Sequence, residues 1–187
     1  MTSPWYETLG VFDLETTGVD VETSRIVSAH VGVIDGSGEV VERRDWLADP
    51  GIEIPEQASA VHGITTERAL AEGRDLEKVL QEFHAEISSS EILVGHNIGF
   101  DVKVVGAEFI RLNFPPIVPE RRKICTMLSS TKYCNLPGRC GPKWPKLQEL
   151  HNKLFSENFA EAHNAAADIN ATAKCFFELK RIGVIEA

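Results

Sequence analysis

The stretch VFDLETTGVD, residues 11–20, carries the information on which the fold depends. Its apolar residues predict a buried strand, and two acids, Asp13 and Glu15, stand two positions apart at the end of that strand. Side chains at positions i and i+2 of a strand project from the same face of the sheet. Because carboxylates resist leaving water unless a partner compensates them, this pair predicts a positively charged partner on one face of the sheet.

Two later segments also place an acid in unusual surroundings. In GHNIGFD, residues 95–101, Asp101 follows a short apolar run. In HNAAAD, residues 163–168, Asp168 lies in an alanine-rich segment whose small side chains allow another group to come close. Taken alone, each acid also fits a helix cap or a turn residue.

Apolar periodicity predicts strands first, and then alternating strands and helices. The predicted strands cover residues 9–15, 25–35, 39–48, 91–97 and 121–127, and the predicted helices cover residues 75–87, 100–112, 145–155 and 164–179. A GSG turn at 36–38 joins the second and third strands, and segments 49–66 and 128–143 are predicted as loops. This order predicts a single α/β domain over residues 1–187, with a mixed central sheet flanked by helices: three antiparallel strands, then parallel strands.

The composition is typical of a soluble globular protein, with 43% hydrophobic and 25% charged residues in a chain of 187. No apolar run approaches the roughly 20 residues that cross a bilayer. The first ten residues lack the basic start and apolar stretch of a signal peptide. We therefore expect a cytoplasmic protein with no membrane partner.

Charge is distributed unevenly along the chain, although the total is −9. Residues 1–90 contain 6 basic and 18 acidic residues, whereas residues 91–187 contain 13 and 10. Within 121–153, eight basic residues stand against one acid, and Tyr133 and Trp144 are interleaved among them. Such a segment suits neutralisation of a phosphate backbone and stacking on unpaired bases, and an ordinary solvated surface remains the alternative.

The two parts of the chain also differ in residue usage. Residues 1–90 contain no Asn and one Lys, whereas residues 91–187 contain seven Asn and eight Lys. One hypothesis is a chimera joined near residue 90. Chance and functional asymmetry are the alternatives.

The four cysteines form no CxxC pair. Zinc binding by Cys125, Cys134, Cys140 and His151 is conceivable, but the spacings match no zinc motif. We expect reduced, structural thiols.

Three acid-containing motifs together carry a resemblance. DLETTG (13–18), HNIGFD (96–101) and HNAAAD (163–168) resemble, in order and separation, the three exonuclease motifs of the DnaQ-like family, which contain four acids and a histidine. AVHGIT (60–65) resembles a segment that those proteins carry between the first two motifs, and the resemblance extends over about residues 9–179. It implies a ribonuclease-H-like fold and 3′→5′ exonuclease activity on single-stranded DNA or RNA ends, releasing nucleoside monophosphates.

The resemblance also implies roles for individual residues. Asp13, Glu15, Asp101 and Asp168 are the implied ligands of two Mg²⁺ or Mn²⁺ ions, with His163 as the general base. Oxygen-only ligands favour such hard ions over zinc. Because five positions of a helix turn through about 500°, His163 and Asp168 could share a face only if His163 preceded the helix or stood at its start.

Further residues are implied around the terminal nucleotide: Leu14, Thr16, Thr17, His62 and Phe100. For His62, packing within its loop is the alternative, and Phe100 could equally belong to the core. His96 and Asn97 are expected to orient the loop around Asp101. A DNA polymerase is a possible partner, and the oligomeric state stays open.

Two other functions are alternatives to the exonuclease. One is a catalytically idle nucleic-acid-binding domain of the same fold, against which stands the presence of all five implied catalytic side chains. The other is a phosphatase with Asp13 as nucleophile, because DLETT loosely resembles a D-x-D-x-T motif. Glu15 in place of the second Asp, and the unexplained HNAAAD segment, argue against the phosphatase.

Overall fold

A computed structural model describes residues 9–34, 40–114, 122–159 and 165–186. Its main feature is a six-stranded sheet with the strand order β4-β3-β2-β1-β5-β6. The strands are β1 (Leu9–Thr16), β2 (Ile26–Ile34), β3 (Val40–Asp49), β4 (Arg74–Asp75), β5 (Ile92–Gly95) and β6 (Arg122–Cys125). The helices are α1 (Glu56–His62), α2 (Thr66–Glu72), α3 (Leu76–Ser89), α4 (Ile98–Arg111), α5 (Thr126–Cys134), α6 (Leu147–Phe155) and α7 (Ala165–Arg181).

The strand directions confirm the predicted mixed sheet. β1, β2 and β3 pair antiparallel, as expected for consecutive strands with a short connection. β5 then pairs parallel with β1 and with β6. All four residues of β5 are buried, as is typical of a parallel strand covered on both faces.

Alternation along β1 decides which face receives the acids. Phe12 and Leu14 belong to one core cluster, together with residues of α3 and α4. Leu9 and Val11 belong to the other, together with residues of α6 and α7. Because side chains alternate along a strand, Asp13 and Glu15 continue the row of Leu9 and Val11 and face α7.

The register of β2 extends this row across the sheet. His30 pairs with Asp13, and Ser28 pairs with Glu15. Farther along β2, Gly32 lies under α7, where an added Cβ would come within 2.7 Å of Ile169 Cγ2. The absence of a side chain at Gly32 therefore lets α7 pack closely over the strands that carry the acids.

Two predicted loops contain regular structure. Segment 49–66 contains α1, which begins after Pro55 and ends at Gly63 with a φ of 74°. Segment 128–143 contains most of α5 and a small hairpin of β7 (Pro137–Gly138) and β8 (Gly141–Pro142). The loop predictions were wrong there because such short elements do not develop a clear apolar period.

The remaining predicted elements lie within a few residues of the observed ones. α4 begins at Ile98, two residues before its predicted start, and Asn97, which precedes it, has a left-handed conformation with a φ of 73° and forms no capping hydrogen bond through its side chain. Asp101 therefore lies in the first turn of α4. The GSG turn lies outside the described residues. None of the helices in the described ranges is long and apolar enough to cross a membrane.

Candidate metal and nucleic-acid site

Three acids from opposite ends of the chain converge above the centre of the sheet. Asp13 and Glu15 come from β1, and Asp168 comes from the first turn of α7. One oxygen of each side chain lies within 4.8 Å of an oxygen of the others. Among the described residues, this is the group whose spacing suits a bound metal ion.

The electrostatics of the three acids show the cost of bringing them together. Burial, followed by the charge of Asp168, raises the pKa of Asp13 to about 7. Burial, followed by the charges of Asp13 and Asp168, raises the pKa of Glu15 to about 8. Both effects disfavour the ionised carboxylates. A dication would reverse this penalty, and the purely carboxylate ligand set fits a hard ion.

Asp101 stands next to this group but not within it. It is 5% exposed, and burial raises the pKa of its carboxyl well above the ordinary value, with the charges of Asp13 and Glu15 acting in the same direction. Hydrogen bonding to its own backbone and to that of Leu14 opposes the shift. Oxygens of three implied ligands thus lie within 4.8 Å of one another, and the fourth implied ligand, Asp101, lies beside them.

His163, the implied general base, lies outside the described residues. The described part of α7 begins at Ala165 and includes Asp168, as the angular argument requires of the acid. The role of His163 stays a prediction.

All five residues implied at the terminal nucleotide line one cleft of about 650 Å³, here called the terminal cleft. It opens from Glu15 along the end of β1 and toward α1. Thr16 donates from Oγ1 to the carbonyl oxygen of Gly18 at 2.6 Å. Thr17 Oγ1 accepts from the Arg25 amide at 2.9 Å. These bonds fix the chain that forms one wall of the cleft.

Phe100 and His62 each line the cleft and also pack or hydrogen-bond within the protein, so each combines the two roles expected of it. Phe100 lines the terminal cleft and also packs against the core cluster that contains Phe12. His62 lines the same cleft, and its Nδ1 accepts the Ile64 amide at 3.1 Å. Its Nε2 is buried without a hydrogen-bond partner among the residues that the structure describes, and burial lowers the pKa of the ring. His62 is therefore neutral near pH 7.

Glu108, which the sequence analysis did not predict as a functional residue, stabilises the chain that forms the wall of the terminal cleft. This fully buried carboxylate accepts from Arg25 Nε at 2.8 Å, pairs with Arg111 at 3.1 Å and accepts the Ile26 amide at 3.3 Å. Arg111 in turn donates to the carbonyl oxygens of Glu22 and Ser24. The network ties α4 to the β1–β2 connection. An acid at a core position of an amphipathic helix is the signal that could have revealed it.

His96 links separate elements through both of its ring nitrogens. Its Nδ1 lies 3.0 Å from Thr126 Oγ1, and its Nε2 lies 3.0 Å from the carbonyl oxygen of Pro145. Burial lowers the pKa of the ring. His96 thereby joins the start of α4, which carries Asp101, to α5 and to the segment before α6.

The cysteines do not form a metal site. Cys125, Cys134, Cys140 and His151 are all described, and they do not come together in a group with metal-binding spacing. All four cysteines are free; Cys134 and Cys175 are buried, and burial raises the pKa of Cys175 to about 12. These observations agree with structural thiols.

Two further clefts open from Glu15. The α6 cleft, of about 450 Å³, also touches Asp13 and Asp168 and extends to Trp144 and Lys146. The β3 cleft, of about 430 Å³, extends to residues of β2, β3 and α2. Glu15 thus lies where three clefts meet.

The basic residues of segment 121–153 differ in how far other side chains already engage them. Lys143 Nζ forms an ion pair with Glu149 Oε1 at 2.6 Å. Lys153 Nζ lies 5.9 Å from the centre of the Tyr133 ring. Lys146 and Trp144, in contrast, line the α6 cleft beside the carboxylates.

Comparison with known proteins identifies the family of this chain. The RNase_T exonuclease family model matches residues 11–176. The DNA polymerase III epsilon subunit of Aquifex aeolicus is 28% identical over 176 residues, covering 92% of this chain and 80% of that protein. The PolC-type DNA polymerase III of Thermotoga maritima is 31% identical over 184 residues, covering 95% of this chain but only 12% of that protein.

Solved structures of exonuclease I share the fold. One aligns with a TM-score of 0.79 at 21% identity, covering 94% of this chain and 41% of that chain. Escherichia coli exonuclease I in complex with a dA16 oligonucleotide aligns with a TM-score of 0.78 at 22% identity, with the same two coverages. A zinc-bound form of the E. coli exonuclease I–single-stranded DNA complex aligns with a TM-score of 0.78 at 21% identity, covering 94% of this chain and 41% of that chain.

Proposed function

The chain belongs to the RNase_T exonuclease family, and on that premise we propose that it is a metal-dependent 3′→5′ exonuclease. Its proposed substrate is the 3′ end of single-stranded DNA, with short RNA as the alternative, and its product is a nucleoside monophosphate. The observation that carries the proposal is the convergence of Asp13, Glu15 and Asp168 within 4.8 Å. A surface without metal chemistry gains nothing from such mutual repulsion.

The proposed ligands of two Mg²⁺ or Mn²⁺ ions are Asp13, Glu15, Asp101 and Asp168. The raised pKa values of Asp13, Glu15 and Asp101 support this assignment, because burial and the neighbouring carboxylates disfavour their ionised forms, a penalty that bound cations would offset. Such ions, when bound, polarise the phosphate, lower the pKa of attacking water and stabilise the leaving oxygen.

The terminal cleft is the proposed site of the 3′-terminal nucleotide. Leu14, Thr16 and Thr17 line it beside Glu15, so a nucleotide held there has its phosphate directed toward the carboxylates. We assign the 3′-hydroxyl to the vicinity of Glu15 or Thr17. Phe100 and His62 line the same cleft and supply contact surface for the nucleotide.

His163 is the proposed general base. A histidine with an ordinary pKa of about 6.5 is mostly neutral at mildly alkaline pH and can accept the proton of attacking water. Water oxygen then bonds to phosphorus, and the bond from phosphorus to the 3′ oxygen of the preceding nucleotide breaks.

DNA is the preferred substrate in this proposal because the two reported relatives are named as DNA polymerase III proteins. A DNA polymerase is the corresponding proposed partner.

A panel of 5′-labelled single- and double-stranded DNA and RNA, incubated with Mg²⁺ or Mn²⁺, tests the proposal. We expect ladders shortened from the 3′ end, release of mononucleotides and complete loss of activity in EDTA. Binding without shortening under any divalent ion would instead support the catalytically idle alternative.

A further inference from the structure

We propose that the α6 cleft binds the nucleotide immediately upstream of the scissile phosphate, with its base stacked on Trp144; this inference rests on the exonuclease function proposed above. The ligand class is therefore a single-stranded oligonucleotide, as distinct from a free mononucleotide.

The first support is the position of the cleft. The α6 cleft and the terminal cleft share Leu14 and Glu15, and the α6 cleft additionally touches Asp13 and Asp168. A phosphodiester held at the carboxylates has one nucleotide on each side of the phosphate. If the terminal cleft holds one of them, the α6 cleft is placed to receive the other.

The second support is the exposure of Trp144 combined with its fixed backbone. Its side chain is 64% exposed. On one side, the Lys143 amide donates to the Leu136 carbonyl at 3.0 Å. On the other, the Pro145 carbonyl lies 3.0 Å from His96 Nε2. An exposed indole on a held backbone offers a stacking surface at low entropic cost.

The third support is an incompletely hydrogen-bonded amide in the same cleft. Gln148 Nε2 donates to the Phe159 carbonyl at 3.0 Å, which orients the amide. Its Oε1 is buried and accepts no hydrogen bond from the described part of the chain. Leaving a buried acceptor without a donor is unfavourable, because its hydration is lost and not replaced. A base N–H is a donor of the kind that this oxygen lacks.

The α6 cleft and the β3 cleft differ in how their basic residues are paired, and the three acids that also line the α6 cleft are the proposed metal ligands. In the β3 cleft, Arg43 pairs with Asp45 at 2.8 Å, and Arg68 pairs with Glu72 at 3.1 Å. In the α6 cleft, Lys146 belongs to no ion pair among the described residues. The charge of Lys146 acts on Glu149 without forming an ion pair, whereas both arginines of the β3 cleft are paired with carboxylates.

Kinetics on two substrates test the proposal. A single-stranded oligonucleotide fills both clefts, whereas the p-nitrophenyl ester of a nucleoside 5′-monophosphate has no upstream nucleotide. We expect W144A to raise KM for the oligonucleotide about 5- to 100-fold, the equivalent of losing one stacked base, and to change kcat/KM for the ester, whose p-nitrophenyl group is much smaller than a nucleotide, by a clearly smaller factor. W144F should retain most of the affinity. I110A, which removes another exposed apolar side chain away from the three clefts, should change neither substrate.

A binding titration decides the matter even if the protein proves inactive. In the D13N background with EDTA, an oligonucleotide should quench tryptophan fluorescence, and W144F should remove most of that quenching. Equal effects of W144A on both substrates, no effect on either, or unchanged quenching in W144F would overturn the assignment of Trp144. Absence of hydrolysis by the wild-type protein on either substrate, with quenching intact, would reject the exonuclease function and leave the stacking site standing.

Discussion

Asp168, from the first turn of α7, lies close enough to Asp13 on β1 for its charge to raise the pKa of Asp13, in addition to the effect of burial. The two residues are far apart in sequence, and they meet because α7 packs over the face of β1 that carries Asp13. Their repulsion is the central physical feature of the site. It lowers the stability of the metal-free protein in a geometry that suits a metal.

Replacing Asp13 by Asn should abolish most of the activity. The substitution keeps the shape of the side chain but removes one anionic oxygen donor from the cluster. We expect kcat to fall by roughly 10³-fold or more, the scale of loss of a group that acts in the transition state. E91Q, a change at an exposed acid outside the three clefts, is the matched control. Near-normal activity of D13N in Mg²⁺ would reject the assigned role of Asp13.

The same variant should make the metal-free protein more stable, and more so at higher pH. The folded-state pKa of Asp13, about 7, lies above its ordinary value of 3.8. Folding therefore favours the protonated form, and the contribution to stability that is present below about pH 4 is lost as the pH rises through 7. The amide introduced by D13N cannot titrate, so the difference in melting temperature between D13N and wild type should grow from pH 4 to pH 8, to the order of 10 °C.

Thermal unfolding of both proteins in EDTA, at closely spaced pH values, provides this measurement. Taking the difference between the two proteins cancels the contributions of His62 and His96, whose pKa values are lowered in both. Added Mg²⁺ should raise the melting temperature of the wild type more at pH 8 than at pH 5. A difference that is independent of pH would show that Asp13 is not destabilised by its neighbours.

Replacing Glu108 by Ala should destabilise the fold and loosen the terminal cleft. Arg25 and Arg111 would lose their buried partner, at a cost of about 3–5 kcal/mol in the free energy of unfolding. We also expect a higher KM for the nucleotide ester, because the Arg25 amide holds Thr17 in the cleft wall. Denaturant unfolding and steady-state kinetics measure the two effects. E77A, a change at an exposed acid of α3, should alter neither.

Lys146 and Lys143 should differ in their effect on nucleic-acid binding. Lys146 lines the α6 cleft, whereas Lys143 is engaged by Glu149. We expect K146A to reduce the slope of log Kd against log salt concentration by about 0.7 for a single strand. K143A should change this slope less. Equal slopes for wild type and K146A would remove Lys146 from the binding surface.

Much of the fold followed from local patterns because the main strands and helices have clear periods. The strand at 9–15 and the helix at 75–87 are observed as β1 and α3, with small differences at their ends. α1, α2 and α5 were not predicted, because such short helices show no sustained amphipathic pattern. The composition break near residue 90 falls between α3 and β5, and the chimera hypothesis stays a prediction.

For the candidate site too, the sequence predicted some features and not others. The i, i+2 spacing placed Asp13 and Glu15 on one face, and the motifs singled out Asp101 and Asp168. Sequence reasoning could not tell that Asp101 stands at the border of the cluster, nor that Lys143 is already paired. The role of Glu108 could not be predicted because Arg25, which it pairs with, is distant in sequence and precedes β2, although Arg111 lies three positions along the same helix.

By itself, the sequence determined the alternation of β1 and the family to which the chain belongs, and it singled out the four acids that are the proposed metal ligands. Only the tertiary structure decided that Asp13 and Glu15 face α7, that their oxygens lie within 4.8 Å of an oxygen of Asp168, and that three clefts meet at Glu15. The physical reason is the difference between interactions that are local in sequence and interactions that are not. Backbone periodicity depends on neighbours along the chain, whereas pKa values, ion pairs and clefts depend on distances between residues that only folding brings together.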